Sequence, residues 1–147
     1  MTAIALANLY TTENITTFVR EAERVARSDG YVLIVEVARG WYGGELAPIL
    51  FRNTWQEEFD CTKEMVLPQH GYQRMDLTSI QDFGTVENAV QTYAFIFGKA
   101  AIDYLQEQNK TTMQWVWSVF HKQVGKHNAE ALTDEKRLWR TGTALCR

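Results

Sequence analysis

Three ionisable side chains could form an acid/base site near an apolar stretch, residues 31–39 (YVLIVEVAR). Glu36 lies inside this stretch, where a charge needs a partner, a route to solvent or a function. Glu45 follows the next loop, and His70 lies farther along the chain. Because carboxylates and imidazoles transfer protons in catalysis, these residues predict a small hydrolase or transferase as one alternative. An ion pair between Glu36 and Arg39 is the simpler interpretation of Glu36.

Aromatic side chains are numerous enough to form a binding surface as well as a core. The chain has five Trp, six Tyr and seven Phe. Trp41 and Tyr42 lie in the glycine-flanked loop GWYGG, Trp115 and Trp117 alternate in a later apolar stretch, and Tyr72 lies in the connection between them. Such rings are enriched where proteins contact partners or apolar ligands. The five residues therefore predict a contact surface, although a hydrophobic lid over the core would use the same side chains.

The sequence contains no strong motif for a nucleotide, a metal ion or a covalent catalyst. The loop GWYGG follows a predicted strand, as a phosphate-binding loop would, but neither a Lys-Ser/Thr pair nor GxGxxG spacing accompanies it. The two cysteines, Cys61 and Cys146, form neither a disulfide framework nor a zinc-ligand spacing. We therefore expect no cofactor and no metal site.

Charge is unevenly distributed along the chain. The net charge of −3 and the pI of about 5.6 argue against a general nucleic-acid-binding protein. From Lys110 onward, however, seven basic residues stand against three acidic ones. This asymmetry predicts attraction between the two parts of the fold or, as a second alternative function, nucleic-acid or phosphate binding by the basic C-terminal part. The N-terminal residues lack the features of a secretion signal, so we expect a cytoplasmic protein.

The fold is predicted to be organised around a long helix over residues 85–108. Apolar residues recur there at i, i+3, i+4 and i+7, and Phe95 and Ile96 widen the apolar stripe. The middle turns should therefore be covered on more than one side. Gly98, which forms a small-residue stripe with Ala94 and Ala101, predicts that another backbone passes close by, from this chain or from a homodimer partner. Charged residues interrupt the helix, so no membrane span is expected.

Two further helices and a buried strand are also predicted. An N-terminal helix capped by Thr12 or Asn14 stops at the Ser-Asp-Gly sequence of residues 28–30. Residues 31–39 are apolar on both alternating faces, which is typical of a central strand. A C-terminal helix is predicted to reach Trp139.

Four other stretches give weaker patterns. Residues 54–66 fit a helix or a strand, and the acidic residues of the first turn favour the helix. Residues 112–120 also fit both, and alternating apolar side chains favour the strand. Residues 45–52 predict an edge strand that contains Pro48, and residues 67–83 predict a long surface connection.

Together these features predict an α+β protein with a single compact domain, residues 1–147. A small mixed or antiparallel sheet is expected to pack against the long helix, with the N-terminal and C-terminal helices alongside. The lack of catalytic motifs and the many rings favour a non-catalytic binding or regulatory protein over an enzyme. Its expected partners are another protein or a small apolar ligand, with a homodimer also allowed. Neither a membrane nor nucleic acid is an expected partner.

Overall fold

The computed structural model describes residues 2–4, 11–50 and 54–125, with the backbone alone described for residues 2–4 and 54–59. Its helices and strands are β1 (Thr2–Ile4), α1 (Thr12–Val25), β2 (Tyr31–Val37), α2 (Thr54–Gln69), β3 (Gln73–Asp82), α3 (Val86–Glu107) and β4 (Thr112–Gln123). A short 3-10 turn, Gly44–Leu46, lies between β2 and α2. The predicted α+β class is confirmed. The predicted C-terminal helix lies outside the described residues.

The four strands form one mixed sheet in the order β1-β2-β4-β3. β1 pairs with β2 in parallel. The Ala38 amide donates to the Val116 carbonyl at 2.9 Å, and the Val124 amide donates to the Gly30 carbonyl at 2.8 Å, so β2 and β4 are antiparallel. β3 is antiparallel to β4 and is the last strand of the sheet. The stretch with two apolar faces, β2, is therefore an interior strand, as predicted.

The chain divides into two compact units, and the first comprises Met1–Ile34, Glu58–Arg74 and Phe120–Arg147. Its core draws on α1, α2 and the strands, and consists of Ile15, Val19, Ala22, Val32, Ile34, Val66, Leu67, Tyr72 and Phe120. On α1 the three core residues recur at helical spacing and so share one face. That amphipathic pattern explains why this segment folds as a helix against the unit's core.

The ends of α1 differ slightly from the prediction. The Thr11 hydroxyl accepts a hydrogen bond from the Asn14 amide at 3.2 Å, so Thr11 caps the helix in place of Thr12 or Asn14. The helix itself ends at Val25, and the predicted stop follows it. There Asp29 adopts a positive φ of 63°, which turns the chain towards β2.

The second unit comprises Val35–Glu57 and Met75–Val119. Its core consists of Leu46, Ala89, Tyr93, Ala101, Leu105 and Met113. α3 supplies four of these residues and matches the predicted long helix closely. The Thr85 hydroxyl caps it by accepting from the Asn88 amide at 3.1 Å.

The structure corrects the prediction for the middle of α3. Gly98 has φ 67° and ψ −157°, which breaks the helix at that residue. A Cβ at Gly98 would meet nothing within 4 Å, so none of the described residues provides the predicted close backbone. The glycine is needed because its backbone conformation is costly for other residues. Phe95 and Ile96 are 95% and 60% exposed, so the described part of the chain does not cover the middle turns on all sides, and cover by a second copy of the chain stays a prediction.

The prediction is confirmed for the two stretches that fit both a helix and a strand. It is wrong for the other two stretches with weak patterns. Residues 54–66 belong to α2, and residues 112–120 belong to β4. The predicted edge strand at residues 45–52 is wrong over its described part, because the Ile49 and Leu50 amides both donate back to the Leu46 carbonyl. The predicted connection at residues 67–83 is wrong because α2 continues to Gln69 and β3 follows. Pro68 lies in the last turn of α2, where it removes only one hydrogen bond.

Candidate functional site

A continuous series of ring contacts runs through the second unit. Trp117 stacks on Trp115 with ring centroids 5.4 Å apart, and Trp115 stacks on Tyr93 at 6.4 Å. Tyr93 stacks on Phe97 at 5.5 Å, and Phe97 meets the edge of Tyr42 at 5.9 Å. The Trp115 indole N–H donates to the Tyr93 hydroxyl at 2.9 Å. Three predicted contact residues, Tyr42, Trp115 and Trp117, thus belong to one aromatic series.

The glycine-rich loop, residues 40–44, packs closely against this aromatic series. Gly44 has φ 65°, and a Cβ there would lie 2.6 Å from the Gln114 carbonyl oxygen and 3.1 Å from the Trp115 ring. Gly43 has φ 88°, and a Cβ there would lie 2.3 Å from Leu50. Only glycine fits both the backbone angles and the space. At Gly44 the loop therefore packs against β4. Trp41, also in this loop, is half-buried.

Glu45 holds the same loop to the start of β4. Its carboxylate forms an ion pair with Lys110 at 2.6 Å and accepts from the Tyr104 hydroxyl and the Gln114 amide, both at 3.3 Å. The hydrogen bond to Glu45 raises the pKa of Lys110. Burial raises the pKa of Tyr93, which keeps its hydroxyl protonated. These contacts give Glu45 a bridging role between loop and strand.

β3 exposes side chains along its whole length. All ten residues are exposed, including Met75 at 47%, Leu77 at 47% and Ile80 at 70%. The Trp117 indole N–H donates to the Ser79 hydroxyl at 2.8 Å, so a ring of the aromatic series reaches this strand. The Asp76 carboxylate accepts from the buried Ser118 hydroxyl at 2.9 Å. β3 therefore offers apolar side chains beside a half-buried Trp.

The pairing of β3 shows which of its backbone groups face away from the sheet. The Phe83 amide, directly after β3, donates to the Thr111 carbonyl at 2.9 Å. In an antiparallel pair, successive residues point their N–H and C=O groups alternately towards and away from the neighbouring strand. Counting back from Phe83, the residues whose backbone groups face outward are Asp76, Thr78, Ile80 and Asp82. Because β3 is the last strand, the outward groups of Thr78, Ile80 and Asp82 have no strand neighbour within the described part of the chain.

Two further residues of the predicted sites, the aromatic Tyr72 and the polar His70, lie in the first unit. The His70 Nε2 atom lies 3.4 Å from the Thr16 hydroxyl oxygen. Lys122 places its Nζ 2.9 Å from both carboxylate oxygens of Glu23 and 5.6 Å from the centre of the Tyr72 ring. Burial lowers the pKa of His70, with Glu23 opposing the shift. α1, the end of α2 and β4 therefore all contribute side chains to the polar contacts of this unit.

The three residues of the predicted acid/base site belong to different units. Glu45 bridges loop and strand in the second unit, whereas the described contacts of His70 lie in the first. Glu36 is half-buried on β2 and takes part in a polar or electrostatic interaction. In the described ranges, no three His, Cys, Asp or Glu side chains are arranged to hold a metal ion.

Several residues of these sites were missed from the sequence. Tyr93 and Phe97 were expected only as apolar residues of the long helix, and Thr16 and Glu23 only as parts of a surface helix. Tyr93 and Phe97 are four residues apart and Thr16 and Glu23 are seven apart, so each pair shares one face of its helix. No local signal in the sequence shows what packs on that face. Lys122 could be expected only as part of a charged turn.

Comparison with models of protein families, with curated proteins and with solved structures found no match to this chain. None of the helices in the described part is long and apolar enough to cross a membrane. The case for a function therefore depends on the geometry of the two units.

Proposed function

We propose that the protein is a non-catalytic, cytoplasmic binding protein that adds an extended segment of a protein partner to the outer edge of β3. The observation that carries this proposal is the edge strand itself. Its outward N–H and C=O groups repeat over the four alternate residues from Asp76 to Asp82. An incoming strand can pair with such groups through backbone hydrogen bonds, while its side chains provide specificity.

Among the described residues, β3 has little of the usual protection of an edge strand. Natural proteins discourage pairing at sheet edges with lysine, proline, bulges or a covering element. From Met75 to Gln81 the strand has neither lysine nor proline, and its one charge, Asp76, accepts a hydrogen bond from Ser118 on the neighbouring strand. Both faces of the strand are exposed. An unprotected edge is a hazard for a monomer, so a binding role explains why the strand is built in this way.

The side chains of β3 indicate the chemistry of the segment. Met75 and Leu77 lie on the face that Trp117 reaches, so partner residues on that face should be apolar. The opposite face carries Asp76 and Asp82, and the second unit has four basic and eight acidic residues, a formal charge of −4. Partner residues opposite the two aspartates should therefore be Lys or Arg, whereas Ile80, which lies on the same face, favours an apolar one. The expected ligand is an extended segment in which apolar and basic residues alternate.

The two alternative functions have weaker support. An acid/base site would need Glu45 free, but its carboxylate is shared among Lys110, Tyr104 and the Gln114 amide. Nucleic-acid binding would use the basic C-terminal part, most of which lies outside the described residues. A small apolar ligand on the aromatic series also has weaker support, because Tyr93 is 3% exposed and the rings fill the space between one another.

Selection from a display library of random peptides tests the proposal without a known partner. The bait is the full chain, with counter-selection against Thr78→Pro. This substitution removes one outward amide and should leave pairing with β4 intact, because proline is tolerated where the N–H faces outward. Thr78→Val, which keeps the amide, is the matched control. We expect alternating apolar and basic peptides that bind the wild type and Thr78→Val but not Thr78→Pro.

Hydrogen exchange of the complex locates the binding site. A selected peptide should slow exchange of the outward amides of β3. Peptides that bind Thr78→Pro as well as the wild type, or that protect residues outside β3, would contradict strand addition.

A further inference from the structure

A buried hydroxyl group in the first unit has no hydrogen-bond partner of full geometry among the described residues. Tyr72 is 3% exposed, and no donor or acceptor satisfies its OH. Burial raises the pKa of Tyr72 most, and the charge of Glu23 and a weak hydrogen bond to its carboxylate add to the shift, but this contact lacks the geometry of a full hydrogen bond. Buried polar groups are almost always paired in folded proteins. An exception of this kind indicates a group that the unliganded chain lacks.

Lys122 lies beside Tyr72, with its Nζ 5.6 Å from the centre of the ring, and other polar side chains come from neighbouring positions in the first unit. α1 presents Thr16, Arg20 and Glu23 at helical spacing, α2 ends at His70, and β4 contributes Lys122. The charges of Glu23, Lys122 and Arg20 all influence the pKa of His70. No ion pair of Arg20 occurs in the described ranges. The cluster therefore combines two permanent cations and several neutral donors with a single carboxylate.

Glu23 acts as an internal oxyanion in this cluster. Both of its oxygens lie 2.9 Å from Lys122 Nζ. The two side chains are 24% and 25% exposed, so solvent reaches the ion pair from outside. A carboxylate held in this way by lysine next to an unsatisfied hydroxyl marks where the oxygens of a ligand would lie.

We propose that the Tyr72 cluster, formed by Thr16, Arg20, Glu23, His70, Tyr72 and Lys122, binds the carboxylate or phosphate group of a small ligand. The ligand displaces Glu23 from Lys122 and accepts a hydrogen bond from the Tyr72 hydroxyl. Arg20 and His70 stabilise the same charge from the side. This site is separate from the edge of β3 and does not depend on strand addition.

NMR titration of the full chain with sodium phosphate, and separately with sodium acetate, tests the proposal at constant ionic strength. The expected result is a saturable shift of the amides at residues 70–72 and 122. Stronger binding of phosphate indicates a phosphorylated ligand, and stronger binding of acetate indicates a carboxylate. A lack of saturable shifts with both anions would overturn the proposal.

Three substitutions distinguish a built site from general attraction to positive charge. Tyr72→Phe removes only the hydroxyl and should weaken binding about tenfold, because a hydrogen bond to a charged group is lost. Glu23→Gln should strengthen binding, because it removes the competing carboxylate. Lys99→Gln, on α3 in the second unit, is the control and should change nothing. Equal affinity of wild type and Tyr72→Phe, or weaker binding by Glu23→Gln, would contradict the proposal.

Discussion

The two units differ in how completely they bury their own apolar side chains. Among the described residues, ten large hydrophobic side chains are exposed, and only three of them, Val25, Tyr31 and Met65, lie in the first unit. The second unit exposes the other seven, which are Tyr42, Ile49, Met75, Leu77, Ile80, Phe95 and Ile96. The first unit instead buries polar groups, including Lys63, Asp60 and the Tyr72 hydroxyl. The contrast agrees with the two proposals, strand addition in the second unit and anion binding in the first.

The largest expected effect compares two phenylalanines, one from each unit. Phe120 is 1% exposed in the core of the first unit, and Phe95 is 95% exposed on α3. Phe120→Ala should lower the free energy of unfolding by about 3–5 kcal/mol, because it leaves a cavity. Phe95→Ala should change it by less than about 0.5 kcal/mol. Urea unfolding of both variants measures the difference, and similar losses would remove the contrast between the units.

Two ion pairs, one in each unit, differ in how far their charged side chains are buried. Asp60 pairs with Lys63 at 2.8 Å, and the Lys63 side chain is only 2% exposed. Asp103 pairs with Lys99 at 2.7 Å in the second unit, where the side chains are 44% and 84% exposed. Asp60→Asn should cost about 3 kcal/mol because it leaves a buried lysine without its carboxylate. Asp103→Asn should cost less than about 0.5 kcal/mol. Equal costs in thermal or urea unfolding would show that Lys63 is not held by Asp60.

Proline substitutions at adjacent positions test the assigned direction of the β3 backbone. The Ser79 amide faces β4, so Ser79→Pro should lose a hydrogen bond of the sheet and cost about 2 kcal/mol. The Thr78 amide faces outward, so Thr78→Pro should cost less than about 1 kcal/mol. Urea unfolding compares the two variants. A larger cost for Thr78→Pro would reverse the assignment and remove the basis for strand addition.

The smallest effect concerns the pH dependence of the first unit. Burial lowers the pKa of His70 below its ordinary value of 6.5, with smaller effects from Glu23, Lys122 and Arg20. Below pH 6.5 the unfolded chain therefore binds a proton more readily than the folded chain, and stability falls as the pH is lowered. Above pH 6.5, His70 does not contribute to the change of the unfolding free energy with pH. His70→Asn should flatten the curve of unfolding free energy between pH 7.5 and 5, and an unchanged curve would contradict this assignment.

The success of sequence-based prediction followed the strength of the hydrophobic pattern. α3 and β2 are apolar at clear periods and were predicted within a few residues. β3 was missed because both its faces are exposed, so Met75, Leu77 and Ile80 share no buried face that could set a period of two. Gly98 was interpreted as a packing position, although the structure shows a backbone requirement. A helix period gives no information about a single residue with positive φ.

The candidate sites depended on contacts between residues far apart in sequence. Tyr42, Trp115 and Trp117 were singled out for their aromatic rings, and they do belong to one series of contacts. Tyr93 and Phe97, which connect them, could not be chosen from the many apolar residues of α3. Tyr72 and His70 were assigned to separate sites, yet Lys122 and Glu23 place them in one cluster. The missing information in each case is which elements are neighbours in space.

The order of strands in the sheet also has a consequence for biosynthesis. β2 pairs with β4, so the residues that bond to each other, such as Ala38 and Val116, are separated by roughly 80 residues of chain. At the usual pace of translation, this interval takes roughly 4 to 16 s. During that time a strand with two apolar faces has no partner on its β4 side. The yield of folded protein should therefore depend on the speed of the ribosome and on chaperones that shield β2 until β4 emerges.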